Sequence, residues 1–196
     1  MASKCDIALA WWLRLANTHK AEIASASDRE SGATGFAAKV RRLKGPRPDS
    51  VEILLNPSNP FRDRLIGFGD DLDTCMWGLA GVANSVLSGL SAVREGDSKE
   101  IVVADWSSFK APLILNVSTG GEIVQAYRPE PLASDLLSLL KGRKASALGT
   151  CPVCGRLFER LRRDQQCDNR RCRDAYRQRR FREKQLRRHG LRRRHK

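Results

Sequence analysis

The chain has 196 residues, 41 per cent of them hydrophobic, and its formal net charge at pH 7 is +14. This size and composition suit one ordinary domain with an appendage and are adequate for a hydrophobic core. No apolar stretch approaches the length of a membrane span, so we expect a soluble protein without a membrane partner. The charge is uneven, because residues 151–196 contain 18 Lys and Arg against 5 Asp and Glu, whereas residues 1–150 contain 18 against 17. The sequence therefore predicts a nearly neutral domain that carries a strongly basic tail.

An amphipathic pattern opens the chain. Ile7 and Trp11 share one helical face, which predicts a helix from residue 4 to about residue 29. The apolar run around them is not interpreted as a secretory signal, because Asp6 precedes it, Arg14 interrupts its continuation and no small-residue cleavage site follows. Without such a signal we expect a cytoplasmic protein, in which the two cysteines outside the C-terminal region are reduced thiols.

The next segment is predicted to combine a short helix with a strand. Phe36, Val40 and Leu43 form a short helical stripe, whereas Ser50–Leu55, with the sequence SVEILL, alternates weakly. We therefore expect a strand over Ser50–Leu55 that stops at the turn rich in Asn and Pro behind it. Residues 61–68 are expected to add one or two helical turns.

The clearest helix is predicted over Leu72–Val93. Its apolar residues recur at alternating four and three positions and form one seam: Leu72, Met76, Leu79, Ala83, Val86, Leu90 and Val93. Asp70, Asp71 and Asp73 stand at its start, where carboxylates accept hydrogen bonds from free amides. We interpret them as capping residues rather than as a metal or catalytic cluster. The seam predicts that this helix packs against the rest of the domain. A homodimer formed through the seam is the alternative.

Three β-rich runs follow, over residues 100–106, 112–118 and 122–128. The last two are joined by a Thr-Gly-Gly sequence in which glycine tolerates the positive φ of a hairpin turn. Together they predict a small antiparallel sheet that packs on the Leu72 helix. The expected fold class is therefore α+β, with a helical and small-sheet N-terminal domain.

One more helix is expected after the sheet, introduced by two prolines. Its residues Leu132, Leu136, Leu139 and Leu140 would face the core, and Gly142 would end it. The polar residues that follow are interpreted as a hinge into the C-terminal region.

Four cysteines dominate the C-terminal region. Cys151, Cys154, Cys167 and Cys172 are spaced as C-x2-C, twelve residues, then C-x4-C. Such pairs suit a zinc ion held by four thiolates, and a closed shell of this kind indicates structure rather than hydrolysis. Two disulfides, an iron–sulfur cluster and a coincidental spacing are the other interpretations. Phe158 is expected to form the small core of a module whose folding free energy would come mainly from the ion.

The region that begins at Cys151 resembles the treble-clef-type zinc fingers of bacterial proteins related to the CGNR zinc finger family. The four cysteines match the family's ligands, Phe158 matches its hydrophobic residue, and Tyr176 lies on the matching arginine-rich helix. The family's Gly-Asn-Arg signature follows its last cysteine, whereas here Asn169 and Arg170 follow the third. The resemblance covers about a quarter of the chain. It implies a zinc-bound, DNA-binding C-terminal module in a bacterial transcriptional regulator.

Arginine dominates the basic tail, and its planar guanidinium binds phosphates and guanine edges in a bidentate manner. A concentrated positive field attracts nucleic acid and gains affinity by releasing counterions. The helix after the last cysteine is expected to hold Ala175, Tyr176 and Arg179 against the metal site and to turn an arginine face outwards. The predicted nucleic-acid contacts are Arg162, Arg163, Arg170, Arg173, Arg177, Arg180, Lys184 and Arg187, with DNA favoured over RNA.

The expected organisation is an α+β domain over residues 1–142, a hinge over 143–150, a four-cysteine zinc finger with an arginine-rich helix over 151–190, and a basic tail over 191–196. The first domain would sense a ligand or form a dimer.

An RNA-binding accessory factor and a zinc-finger adaptor for a protein partner are the alternatives to a transcriptional regulator. The basic helix also admits a purely solvated role or attachment to a membrane surface. The chain contains no serine elbow, HExxH motif, Walker loop or paired-carboxylate motif, so we expect no enzyme activity.

Overall fold

The computed structural model describes residues 4–25, 33–61, 71–93, 99–103, 113–118, 120–127 and 131–193. The helices are α1 (Lys4–Ser25), α2 (Phe36–Arg41), α3 (Asp49–Leu55), α4 (Leu72–Ser91), α5 (Pro131–Leu140) and α6 (Arg170–Arg193). The strands are β1 (Lys99–Val103), β2 (Leu113–Val117), β3 (Ile123–Tyr127), β4 (Leu148–Thr150) and β5 (Leu157–Glu159), with a 3-10 turn at Ala145–Ala147. Helices and small antiparallel sheets occur together, which confirms the α+β fold class.

Helices α1 and α4 form the centre of the hydrophobic core. Trp11, Trp12 and Leu15 of α1 are fully buried, because the apolar face of this helix packs against α4. The predicted seam of α4 is buried as well, at Met76, Leu79, Ala83, Val86 and Leu90. Since the chain itself covers this seam, the seam is not a free surface for a homodimer.

The aspartates at the start of α4 hold two helices. Asp71 caps α4, because its side chain accepts a hydrogen bond from the amide three residues later at 2.7 Å. Asp73 instead accepts hydrogen bonds from the N–H groups of Gly35 at 2.7 Å and Ala37 at 2.8 Å. It therefore fixes the start of α2 against α4, which sequence spacing did not predict. Asp70 lies outside the described residues.

The strand predicted over Ser50–Leu55 is wrong, because these residues belong to helix α3. Its buried residues are Ser50, Val51, Leu54 and Leu55, which is the spacing of one helical face. Asp135 of α5 accepts hydrogen bonds from the Ser50 amide at 3.3 Å and the Ser50 hydroxyl at 2.5 Å, so the first turn of α3 gains a partner. An apolar run of six residues is too short for its periodicity to separate a strand from a helix.

The sheet β1-β2-β3 is antiparallel throughout, as predicted. Val117 lies opposite Ile123, and both side chains are buried in the same core as α4. The turn between β2 and β3 uses Gly121 at a φ of 76°, which confirms the need for glycine in this hairpin.

Helix α5 confirms the predicted helix after the sheet, and Gly142 follows it at a φ of 75°. The residues predicted as a polar hinge are held by the main chain of β3 and its turn. The Ile123 N–H donates to the carbonyl of Arg143 at 3.2 Å, and the Ala145 N–H donates to the carbonyl of Gly121 at 2.7 Å. Because Ala145 and Leu148 are buried in the main core, this segment is part of the packed structure and not a free linker. The division of the chain into two domains stays a prediction.

Several predicted features fall outside the described residues. They are the part of the first helix beyond residue 25, the turns over 62–68, the ends of the strand runs at 104–106, 112 and 128, and the tail from residue 194. None of the described helices combines the length and apolar character needed to cross a membrane.

Candidate metal centre and basic helix

The first cysteine pair lies at the tip of the β4–β5 hairpin. The Cys151 N–H donates to the carbonyl of Arg156 at 2.8 Å, and the Gly155 N–H donates to the carbonyl of Cys151 at 2.8 Å. Gly155 adopts a φ of 69°, a conformation that a side chain would strain. This tight turn, the knuckle (Cys151–Gly155), brings Cys154 back towards Cys151.

The second pair is positioned by the finger loop (residues 161–169) and the start of α6. Gln165 ties the loop together, because its side chain accepts from the Leu161 N–H at 2.9 Å and donates to the carbonyl of Cys167 at 3.0 Å. Asn169 caps α6 by accepting from the Cys172 N–H at 2.9 Å. The cap fixes the first turn of α6, which carries Cys172 towards the knuckle.

Four potential metal-ligating atoms lie within 4.8 Å of one another. They are the sulfur atoms of Cys151, Cys154 and Cys172 and a carboxylate oxygen of Asp168. Cys167, the remaining predicted ligand, is buried in the same small cluster as Cys151, but it is not a member of this mutually close group. Sequence spacing singled out the cysteines and missed Asp168, which directly follows Cys167 in the chain.

Three of the cysteines are part of a small hydrophobic cluster. Cys151, Phe158 and Cys167 are buried together, and Cys172 and Tyr176 pack against them. The predicted role of Phe158 as the core of this region is confirmed. This cluster is separate from the main core, and its few side chains bury little apolar surface.

The thiols differ in how readily they ionise. Burial, followed by hydrogen bonds to Cys154 and Asp168, raises the pKa of Cys172 from 9.0 to about 12. Burial, followed by the charge of Cys151, raises the pKa of Cys167. Burial also acts to raise the pKa of Cys151, but backbone N–H groups, that of Cys154 foremost, outweigh burial and lower it. A metal ion would therefore have to displace protons from Cys167 and Cys172. Of these three thiols, Cys151 ionises most easily and would offer a thiolate first.

This donor set fits a metal ion. Three sulfurs and a carboxylate oxygen, with a further sulfur beside them, are ligands that soft and borderline divalent ions accept. The group offers four protein ligand atoms, the number that a structural zinc site uses, so it suits a structural site more than one with an open position for substrate.

The knuckle is attached directly to helix α1. The Asn17 side chain donates to the Leu157 carbonyl at 2.9 Å and accepts from the Leu157 N–H at 2.8 Å. Lys20 donates to the carbonyl of Gly155 at 2.8 Å. Leu157 itself is buried in the main core. The metal site and the N-terminal core thus share strand β5, which no local sequence pattern could predict.

Helix α6 carries most of the basic residues. Residues 170–193 contain 12 Lys and Arg against 2 Asp and Glu, and 24 helical residues extend about 36 Å. All eight predicted nucleic-acid contacts are exposed: Arg162 and Arg163 on the finger loop, and Arg170, Arg173, Arg177, Arg180, Lys184 and Arg187 on α6.

The predicted packing of α6 against the metal site is correct only at Tyr176, which is half-buried. Ala175 and Arg179 are exposed, and Arg179 pairs with Glu183 on the same helix at 3.2 Å. Among the described side chains of α6, those packed against the small cluster are Cys172 and Tyr176, both within its first two turns.

Comparison of the chain with protein-family models, curated proteins and solved structures finds no match. The resemblance to the CGNR zinc finger family therefore stays a prediction from the sequence.

Proposed function

We propose that this protein binds zinc at the cysteine cluster and uses helix α6 to bind nucleic acid, as a cytoplasmic bacterial regulator of transcription that contacts duplex DNA. One observation carries the proposal: a helix with 12 cationic and 2 acidic residues starts beside the cysteine cluster, and its basic side chains from Arg170 to Arg187 are exposed. The metal would fix the base of the helix, and the helix would supply the contacts.

Zinc is the proposed ion because its preferred ligands are thiolates with occasional carboxylates. The cluster around Cys151, Cys154 and Cys172 offers such ligands close together, and Phe158 provides little hydrophobic support. A zinc ion would add the stability that so small a core lacks.

The charge of α6 favours an anionic partner over a merely solvated helix. A helix adapted only to solvent alternates charges of opposite sign along its faces. Among the described side chains of α6, two ion pairs occur, Arg170 with Asp174 at 3.9 Å and Arg179 with Glu183 at 3.2 Å. Most of its positive charge is uncompensated, which suits phosphates.

Duplex DNA is favoured over duplex RNA by the shape of the basic element. The major groove of B-form DNA admits an α-helix, whereas the major groove of A-form RNA is deep and narrow. A single long helix with exposed arginines suits the former.

The test is a metal assay combined with a fluorescence anisotropy titration against a short random-sequence DNA duplex at several salt concentrations. We expect one zinc per chain and an affinity that falls steeply with salt; five phosphate contacts would give a log–log slope of about −4.5. Structured RNA of equal charge serves as competitor. Zinc without salt-sensitive binding would reject the nucleic-acid role, and preference for RNA would reject duplex DNA.

A further inference from the structure

A groove of about 590 Å³ lies between the finger loop and the first two turns of α6. Arg162 lines it from the loop, and Arg170, Arg173 and Arg177 line it from the helix. The three helical arginines are spaced by three and four residues, so they share one face of α6. Arginines from two different elements therefore line one space.

The groove is positive despite two acidic residues on its lining. Asp168 lies in the metal-ligand group, where a cation would take up its charge, which leaves Asp164 opposite four arginines. The positive end of the α6 dipole is at the same place, because α6 begins at Arg170. Half-buried Tyr176 also lines the groove and is packed against the cysteine cluster, so this wall is tied to the metal site.

The dimensions of the groove select the part of a nucleic acid that can enter. A cavity of about 590 Å³ holds a stretch of one sugar–phosphate backbone, but a whole duplex is far too wide for it. Arginine on both walls suits phosphate oxygens, which accept bidentate hydrogen bonds from guanidinium groups.

We propose that this groove clamps the sugar–phosphate backbone of one strand of a DNA duplex. The proposal rests on the nucleic-acid role above and identifies where the main contact lies. The clamp would anchor the finger on one backbone, and the remainder of α6 would extend from it along the neighbouring groove of the duplex. Affinity would then be concentrated in four arginines and not spread evenly over all cationic residues of α6.

The experiment compares two variants of the full-length protein that each lose four positive charges. The groove variant is R162A/R170A/R173A/R177A, and the distal variant is R179A/R180A/R182A/R187A. Each set contains one arginine with an acidic partner four residues later, Arg170 with Asp174 and Arg179 with Glu183, so the sets are matched in this respect. The altered side chains are all exposed.

We expect the groove variant to lose at least tenfold more affinity for a random-sequence DNA duplex than the distal variant. Zinc content and helix signal of both variants are measured beforehand. If the alanine variant of the groove loses zinc, a charge-conserving variant, R162K/R170K/R173K/R177K, replaces it in the test. We expect the lysine variant to bind DNA more weakly than the unaltered protein, because lysine cannot form bidentate contacts.

Equal losses in the two alanine variants, or full affinity of the lysine variant, would overturn the clamp and indicate nonspecific attraction along the helix. Tighter binding of single strands than of the duplex by the unaltered protein would overturn the proposed ligand. If the unaltered protein binds no nucleic acid, the proposed function itself fails; if it binds and the two alanine variants lose affinity equally, the clamp alone fails.

Discussion

At the scale of single residues, the candidate metal site depends on the positive φ of Gly155 in the knuckle and on the carboxylate of Asp168 in the finger loop. The C-x2-C pair was recognisable from the sequence because it places two sulfurs on one tight turn. Asp168 was not, because its approach to Cys154 depends on how the finger loop folds back, with a Cys154 sulfur to carboxylate distance of 3.8 Å. A carboxylate beside a cysteine pair is also a common loop residue.

Replacing Asp168 with asparagine is expected to lower zinc affinity by about 10- to 100-fold, because the substitution removes a negative oxygen from the ligand group. Replacing Asp164, a loop aspartate outside that group, with asparagine provides the matched control and should leave affinity unchanged. Competition with a chromophoric chelator measures both affinities. Equal affinities of the two variants would remove Asp168 from the site.

At the scale of elements, long periodic segments were predictable and short or remote relations were not. The seam of Leu72–Ser91 extends over five turns, so its helical period is unambiguous. Helix α3 has seven residues, and its apolar content suits a strand equally well. The contact between α1 and β5 joins residues 140 positions apart, and only the folded chain brings them together.

Replacing Asn17 with alanine is expected to destabilise the protein by about 1–3 kcal/mol, because both the N–H and the carbonyl of Leu157 lose their side-chain partner in a partly buried place. Urea denaturation measures the change. Replacing Lys20 with alanine is the control, since its single hydrogen bond to Gly155 is exposed and should contribute less. A smaller effect at Asn17 than at Lys20 would contradict the role of this contact.

At the scale of the whole molecule, the metal site and the N-terminal core are joined through one strand. Leu157 is buried in the main core, whereas the next residue, Phe158, belongs to the cysteine cluster. The sequence suggested a polar hinge before the cysteines because charged and small residues surround Leu148, yet this residue and Ala145 are buried. Charge asymmetry, by contrast, was readable from composition alone.

Removing the metal with a chelator is expected to reduce the helical circular dichroism signal by the part that α6 contributes. It is also expected to lower the melting temperature of the remaining structure. The physical reason is that α6 begins at the cysteine cluster and depends on it for its position. Strand β5 joins this cluster to α1 through the hydrogen bonds of Asn17, so disorder in the cluster would also weaken the packing of α1. Far-ultraviolet circular dichroism during heating measures both effects, and added zinc should reverse them. Loss of all helix signal would contradict an N-terminal domain that folds by itself.

The exposed basic side chains of α6 also affect the helix that carries them. Like charges four residues apart repel, as at Arg173 and Arg177, and this repulsion opposes helix formation where no packing compensates it. Salt or a polyanion screens the repulsion. Part of the heat released on adding nucleic acid would therefore come from tightening α6, and an inert salt alone should raise its helicity before any ligand is present.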